Sequence, residues 1–80
     1  DIVYTEYEIF DKDEARYVID RMNIDEKNKK IYIYDYKTTK NPDDIEEYRM
    51  QIENYKNIIQ EQYKDYKIYT QLLAIDIKIW

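Results

Sequence analysis

The sequence predicts an α/β fold of the α+β kind: a mixed β-sheet of about four strands with one main helix, in the order β-β-β-α-β. Three observations predict it. Apolar and β-branched residues alternate with polar ones near both ends of the chain and across residues 16–24 and 31–37, the period-2 pattern of half-buried strands. Ile45, Tyr48, Ile52, Tyr55 and Ile59 recur at three- and four-residue steps, the spacing of one buried helical stripe. Polar clusters at 11–14, 25–30, 38–44 and 63–66 punctuate the chain between these segments.

The first strand spans Ile2–Phe10 and ends in the turn Asp11-Lys12-Asp13-Glu14. The second spans Arg16–Ile24, and the charged loop Asp25–Lys30 leads to the third, Ile31-Tyr32-Ile33-Tyr34-Asp35-Tyr36-Lys37. After Thr38, Asn41 is a candidate N-cap and Pro42 suits the first helical position, while Asp43 and Asp44 favour the positive end of the helix dipole. The helix should run to about Gln62. A last strand covers Lys67–Trp80, with Leu72-Leu73-Ala74-Ile75 as its most buried part.

Bulk properties narrow the chemistry. Eighty residues make one domain. A domain of that size buries only roughly 60–65% of its unfolded surface. With no Cys and no His, disulfides, thiolate or imidazole metal sites and imidazole catalysis are excluded. Any metal would be held by oxygen, which favours Mg²⁺, Mn²⁺ or Ca²⁺. No apolar run approaches the ~20 residues of a membrane span and no signal peptide is visible, so the expected compartment is cytoplasmic. The net charge of −5 argues against a simple electrostatic DNA-binding module. Strand-like sequence at both termini suggests a fragment of a longer protein, or a small protein whose edges a partner covers.

The third strand carries the oddity that points to a site. Residues two apart share a face, so Ile31, Ile33, Asp35 and Lys37 point one way. A hairpin loop at 25–30 sets Ile24 opposite Ile31, Met22 opposite Ile33, Asp20 opposite Asp35 and Val18 opposite Lys37. The opposite face then holds Tyr17, Ile19, Arg21, Tyr32, Tyr34 and Tyr36, half-exposed or covered by another element. Two carboxylates facing each other destabilise a strand pair. They are tolerated if one is protonated, if cations neutralise them, or if the register differs. A divalent cation between Asp20 and Asp35, with Lys37 orienting water or stabilising phosphate charge, would hydrolyse a phosphodiester. The plainer alternative is a solvated hairpin end in a chain that is 39% charged. Gln51 and Tyr55, at i and i+4 on the helix, are either a stripe-boundary amide and a core ring or a pair leaning over the carboxylates to touch nucleic acid. Glu6 and Glu8 could add a carboxylate or simply be solvated.

Taken in order, Ile19-Asp20-Arg21, Asp35-Tyr36-Lys37-Thr38 and Gln51-Ile52-Glu53-Asn54-Tyr55 resemble the motifs of the PD-(D/E)XK nuclease superfamily, in particular its RecB-like exonuclease branch. There an "IDR" strand, a "DYKT" strand and a "QxxxY" helix follow one another at about this spacing. The likeness covers roughly residues 16–60. It implies a restriction-endonuclease-like core, a mixed sheet flanked by helices, from which this chain departs in lacking the first helix. It further implies Mg²⁺ or Mn²⁺ bound by Asp20, Asp35 and the Tyr36 carbonyl, Lys37 as catalytic lysine, and Gln51 and Tyr55 positioning DNA. The activity implied is exonuclease-like hydrolysis of DNA in phage or bacterial repair and recombination. The chain departs from the family pattern in having no Pro before Asp20, Tyr17 where relatives often carry Gly, and no cluster-binding cysteines. A non-catalytic protein-interaction module on the same fold is the competing expectation.

Overall fold

A computed structural model describes residues 1–39 and 43–76. Four strands, β1 (Ile2–Phe10), β2 (Arg16–Asp25), β3 (Lys30–Thr39) and β4 (Lys67–Asp76), lie side by side in chain order, and the helix α1 (Asp44–Gln62) connects the last two. The β1–β2 and β2–β3 pairs are antiparallel and β3–β4 is parallel, so the sheet is mixed, in the predicted β-β-β-α-β order. The proposed cap and first-turn residues Asn41 and Pro42, and the last residues of the final predicted strand (77–80), lie outside the described residues.

Antiparallel neighbours need only tight loops, and in a chain without glycine side chains shape them. Asp11 Oδ1 accepts the N–H groups of Asp13 and Ala15, both at 2.9 Å, and Glu14 takes the left-handed conformation at φ 67°. In the second hairpin Asp25 accepts both the backbone N–H and the amide of Asn28, and Lys29 sits at φ 55°. A parallel neighbour needs a crossover, which α1 supplies. Its acidic first turn, Asp44, Glu46 and Glu47, faces the positive end of the dipole. The return to the sheet is tied by Gln60 Nε2, which donates to the carbonyls of Tyr63 and Tyr66, each at 3.0 Å. The Lys67 N–H then reaches the Lys29 carbonyl at 2.9 Å and starts β4 beside the hairpin.

The core lies between α1 and one face of the sheet. Ile9, Ile19, Met22, Ile24, Ile31, Ile33 and Ile68 pack against Ile52, Tyr55 and Ile59. Each such aliphatic side chain contributes about 1.5–3 kcal/mol on full burial. Ile45 and Tyr48, at the other end of the predicted stripe, are half-buried.

Two expectations are corrected. Strict alternation places Tyr17 and Ile19 on the face away from Met22 and Ile24. Instead Ile19 is fully buried in the same core, and the ring of Tyr17 lies 5.9 Å from that of Tyr55 on α1. The alternation changes phase in both strands at one level. Ladder pairs Tyr4↔Met22 and Thr5↔Arg21 lie on one side of the change and Tyr7↔Ile19 on the other. Between them Glu6 adopts φ 51°, a left-handed conformation that costs a non-glycine residue about 1–2 kcal/mol and turns the following residues over. The second correction concerns β4: Leu72 and Leu73 are only partly buried, and among this strand's described side chains the buried one is Ile68; the side chains of Ala74 and Ile75 lie outside the described residues.

Candidate active site

β3 carries the site because of its position. It runs between an antiparallel and a parallel neighbour with α1 across one face, so whatever projects to that face loses water. Ile31 and Ile33 take up the apolar part of the face. Asp35, next in the alternation, is 1% exposed, the one buried charged residue among those described.

Asp20 reaches Asp35 by a route that alternation does not predict. Among the described residues the β2–β3 ladder runs from Asp25↔Lys30 to Arg21↔Tyr34. Asp20 and Asp35 are therefore not ladder partners, and Val18 pairs with Glu8 of β1 rather than with Lys37. At the phase change the Asp20 side chain turns along the strand instead. Its Oδ2 accepts the Tyr36 backbone N–H at 2.8 Å, replacing a ladder carbonyl with a carboxylate. This sets the Asp20 carboxyl beside that of Asp35.

The electrostatics follow from this closeness. Burial raises the Asp35 pKa to about 6, hydrogen bonding with Asp20 and the Asp20 charge push the same way, and Lys37 opposes them. Lys37 Nζ stands 3.7 Å from Asp35 Oδ2, an ion pair too long for a hydrogen bond. Among the described residues that oxygen has no hydrogen-bond partner. A desolvated carboxylate oxygen without a donor is costly, which makes Asp35 the candidate centre of a site.

α1 covers the charged end. Lys37 Nζ lies 5.4 Å from the ring centroid of Tyr48, within cation–π range. Burial, then the charges of Asp35 and Asp20, push the Tyr55 hydroxyl up to about 12, so it stays a neutral donor near the carboxyls while its ring belongs to the core. Gln51, one turn from each of these tyrosines on the same helix face, has a buried Oε1 with no hydrogen-bond partner among the described residues. The structure thus brings together Asp20, Asp35, Lys37 and Tyr55, with Gln51 on the same face of α1 as Tyr55. Tyr36 contributes its N–H to Asp20 and leaves its ring exposed on the other side of the sheet. Glu8 stays apart, paired with Arg16 at 2.9 Å, and Glu6 is exposed. Tyr48 was legible only as part of the helical stripe; its spacing three residues before Gln51 is the signal that places it over the charged end.

A hard divalent cation fits this donor set. Two carboxylates stand side by side, one with a buried oxygen that no donor among the described residues satisfies. Among the described residues no group of three or more acidic side chains could hold an ion alone. Such an ion would complete its shell with water or substrate oxygen, as Mg²⁺ commonly does. No protein-family model, curated protein or solved structure matches this chain. Among the described residues, no helix is long and apolar enough to cross a membrane.

Proposed function

We propose that this chain is the core of a metal-dependent nuclease that hydrolyses DNA phosphodiester bonds, similar to RecB-like exonucleases of the PD-(D/E)XK superfamily. The observation that carries the reading is the Asp35 carboxylate, buried with one oxygen that no described residue satisfies, beside Asp20 and 3.7 Å from Lys37. Asp20 and Asp35, with the Tyr36 carbonyl, would hold Mg²⁺ or Mn²⁺. When bound, the cation supplies a water of lowered pKa and an electrophile for the phosphate oxygens. Asp35 must lose its proton to serve as a ligand, so loading strengthens as pH rises through about 6. The Lys37 ammonium, held between the Asp35 carboxylate and the Tyr48 ring, offsets the negative charge gathering on the phosphate. Gln51 and Tyr55 offer an amide and a neutral hydroxyl to position the strand being cut.

Two measurements test this. Calorimetric titration with Mn²⁺ should give a binding isotherm that Asp35→Ala abolishes; an intact chain that takes up no Mn²⁺ refutes the metal site. End-labelled DNA should be degraded in Mn²⁺ and spared by the Lys37→Ala chain. Metal uptake without cleavage, together with a stable complex with another protein, would support an interaction module on this fold instead.

A further inference from the structure

The face of the sheet turned away from α1 is built differently from the rest of the molecule. Alternation along β3 puts Tyr32 and Tyr34 on it, and the parallel register sets Tyr69 beside Tyr32. The rings of Tyr32 and Tyr69 are stacked, 5.2 Å between centroids and 16° between planes. The Lys67 ammonium lies 5.6 Å from the Tyr69 ring centroid. On the β2 side Arg21 is opposite Tyr34, and its Nε donates to Asn23 Oδ1 at 3.2 Å, which keeps the guanidinium along the exposed sheet surface. Lys30, by alternation, shares this face. The carboxylate nearest in register, Asp25, stays ionised, its oxygens held by Asn28, and the three cations outnumber it. A chain of net charge −5 therefore gathers three cations around paired tyrosines on one surface. A shallow hollow of about 200 Å³ opens between Tyr32, Tyr34 and Tyr69.

We propose that this surface is a stacking platform for single-stranded nucleic acid, distinct from the carboxylate site on the other face. Aromatic rings stack on any base, and adjacent Lys and Arg side chains meet the phosphates, so aromatics interleaved with cations take a strand without reading its sequence. The same charge disfavours a second copy of this chain. A two-fold contact would set the cluster of Arg21, Lys30 and Lys67 against the same cluster of the second copy. The platform does not depend on hydrolysis, since a chain that cuts nothing could still hold a strand here.

The test is fluorescence anisotropy with a short labelled oligothymidylate at low salt in EDTA, which keeps metal-dependent binding out of the measurement. Saturable binding that weakens with added salt is expected. Tyr69→Ala should weaken it on the order of tenfold, whereas Tyr69→Phe, which keeps the ring, should not. Because Tyr69→Ala could loosen β4, Lys67→Glu and Arg21→Glu, both at exposed positions, give a second reading: weaker binding and a shallower salt dependence. The proposal is overturned if the oligonucleotide does not bind, or if Tyr69→Ala and Lys67→Glu bind like the parent. It is also overturned if sedimentation shows a dimer that Tyr69→Ala dissociates.

Discussion

Ile31 and Ile33 project from the same strand to the same face as Asp35 and Lys37, yet the two halves of β3 obey different physics. At the hairpin end the β2–β3 ladder is continuous, Ile24 faces Ile31, Met22 faces Ile33, and all four side chains are buried among other apolar groups. At the other end the ladder gives way to a side chain, Asp20 accepting the Tyr36 N–H, and the buried group is a carboxylate with an oxygen that no described residue satisfies. Regular pairing with apolar contacts stabilises the domain. Departure from it leaves a buried carboxylate whose cost that packing must offset, the kind of local conflict that marks a candidate functional position.

The comparison predicts substitutions of opposite sign. Ile33→Ala leaves a cavity in the regular half and should cost about 2–5 kcal/mol in denaturant unfolding, a large share of the stability of so small a domain. Asp35→Asn, at nearly constant volume, should do the reverse at pH 7. It removes a carboxyl whose pKa burial raises to about 6, so the cost of ionising that group in the fold at pH 7 is lost and the unfolding midpoint should rise. The same variant should lose Mn²⁺ binding. A chain made less stable by Asp35→Asn would show that the carboxylate is satisfied in the fold and would remove the contrast.

pH sharpens the point. Between about 3.8 and about 6 the folded chain binds the Asp35 proton and the unfolded chain does not. The contribution of this group to stability is therefore fully present below the lower value and is lost as pH rises through the upper one. Urea midpoints taken across this window should fall for the parent relative to Asp35→Asn. Saturating Mn²⁺ should restore stability above pH 6, where the carboxylate is free to bind it. The smallest effect is expected at Tyr48. Tyr48→Phe keeps the ring beside Lys37 and should leave DNA cleavage close to the parent. Tyr48→Leu removes a cation–π contact worth about 0.5–2 kcal/mol and should slow cleavage a few-fold with little change in Mn²⁺ affinity. Equal rates for the two variants would reduce Tyr48 to packing.

Local signals made much of this legible. The hairpin register followed from the positions of Asp25–Lys30 and the alternation on either side, and Ile24↔Ile31 and Met22↔Ile33 are the pairs found. The helix followed from its apolar spacing. The three site motifs could be placed on strands and helix without knowing the tertiary fold. What misled was extending perfect alternation through Asp20. No residue near it signals a break by composition; the left-handed turn is on Glu6, in a different strand and in a residue that rarely adopts it. The partial burial of Leu72 and Leu73 was equally hidden, because two adjacent leucines on a strand point to opposite faces whatever their hydropathy.

By itself the sequence determined the elements, their order, the apolar half of β3 and the residue types available for chemistry, because these depend on short-range periodicity and side-chain inventory. Only the tertiary structure decided how the carboxylates meet. Asp20 is drawn beside Asp35 by a backbone N–H left without a ladder partner, and Asp35 is deprived of water by a helix that begins nine residues later. Hydrogen-bond satisfaction and desolvation are properties of what surrounds a group in space, so neither could be read from its neighbours in the chain.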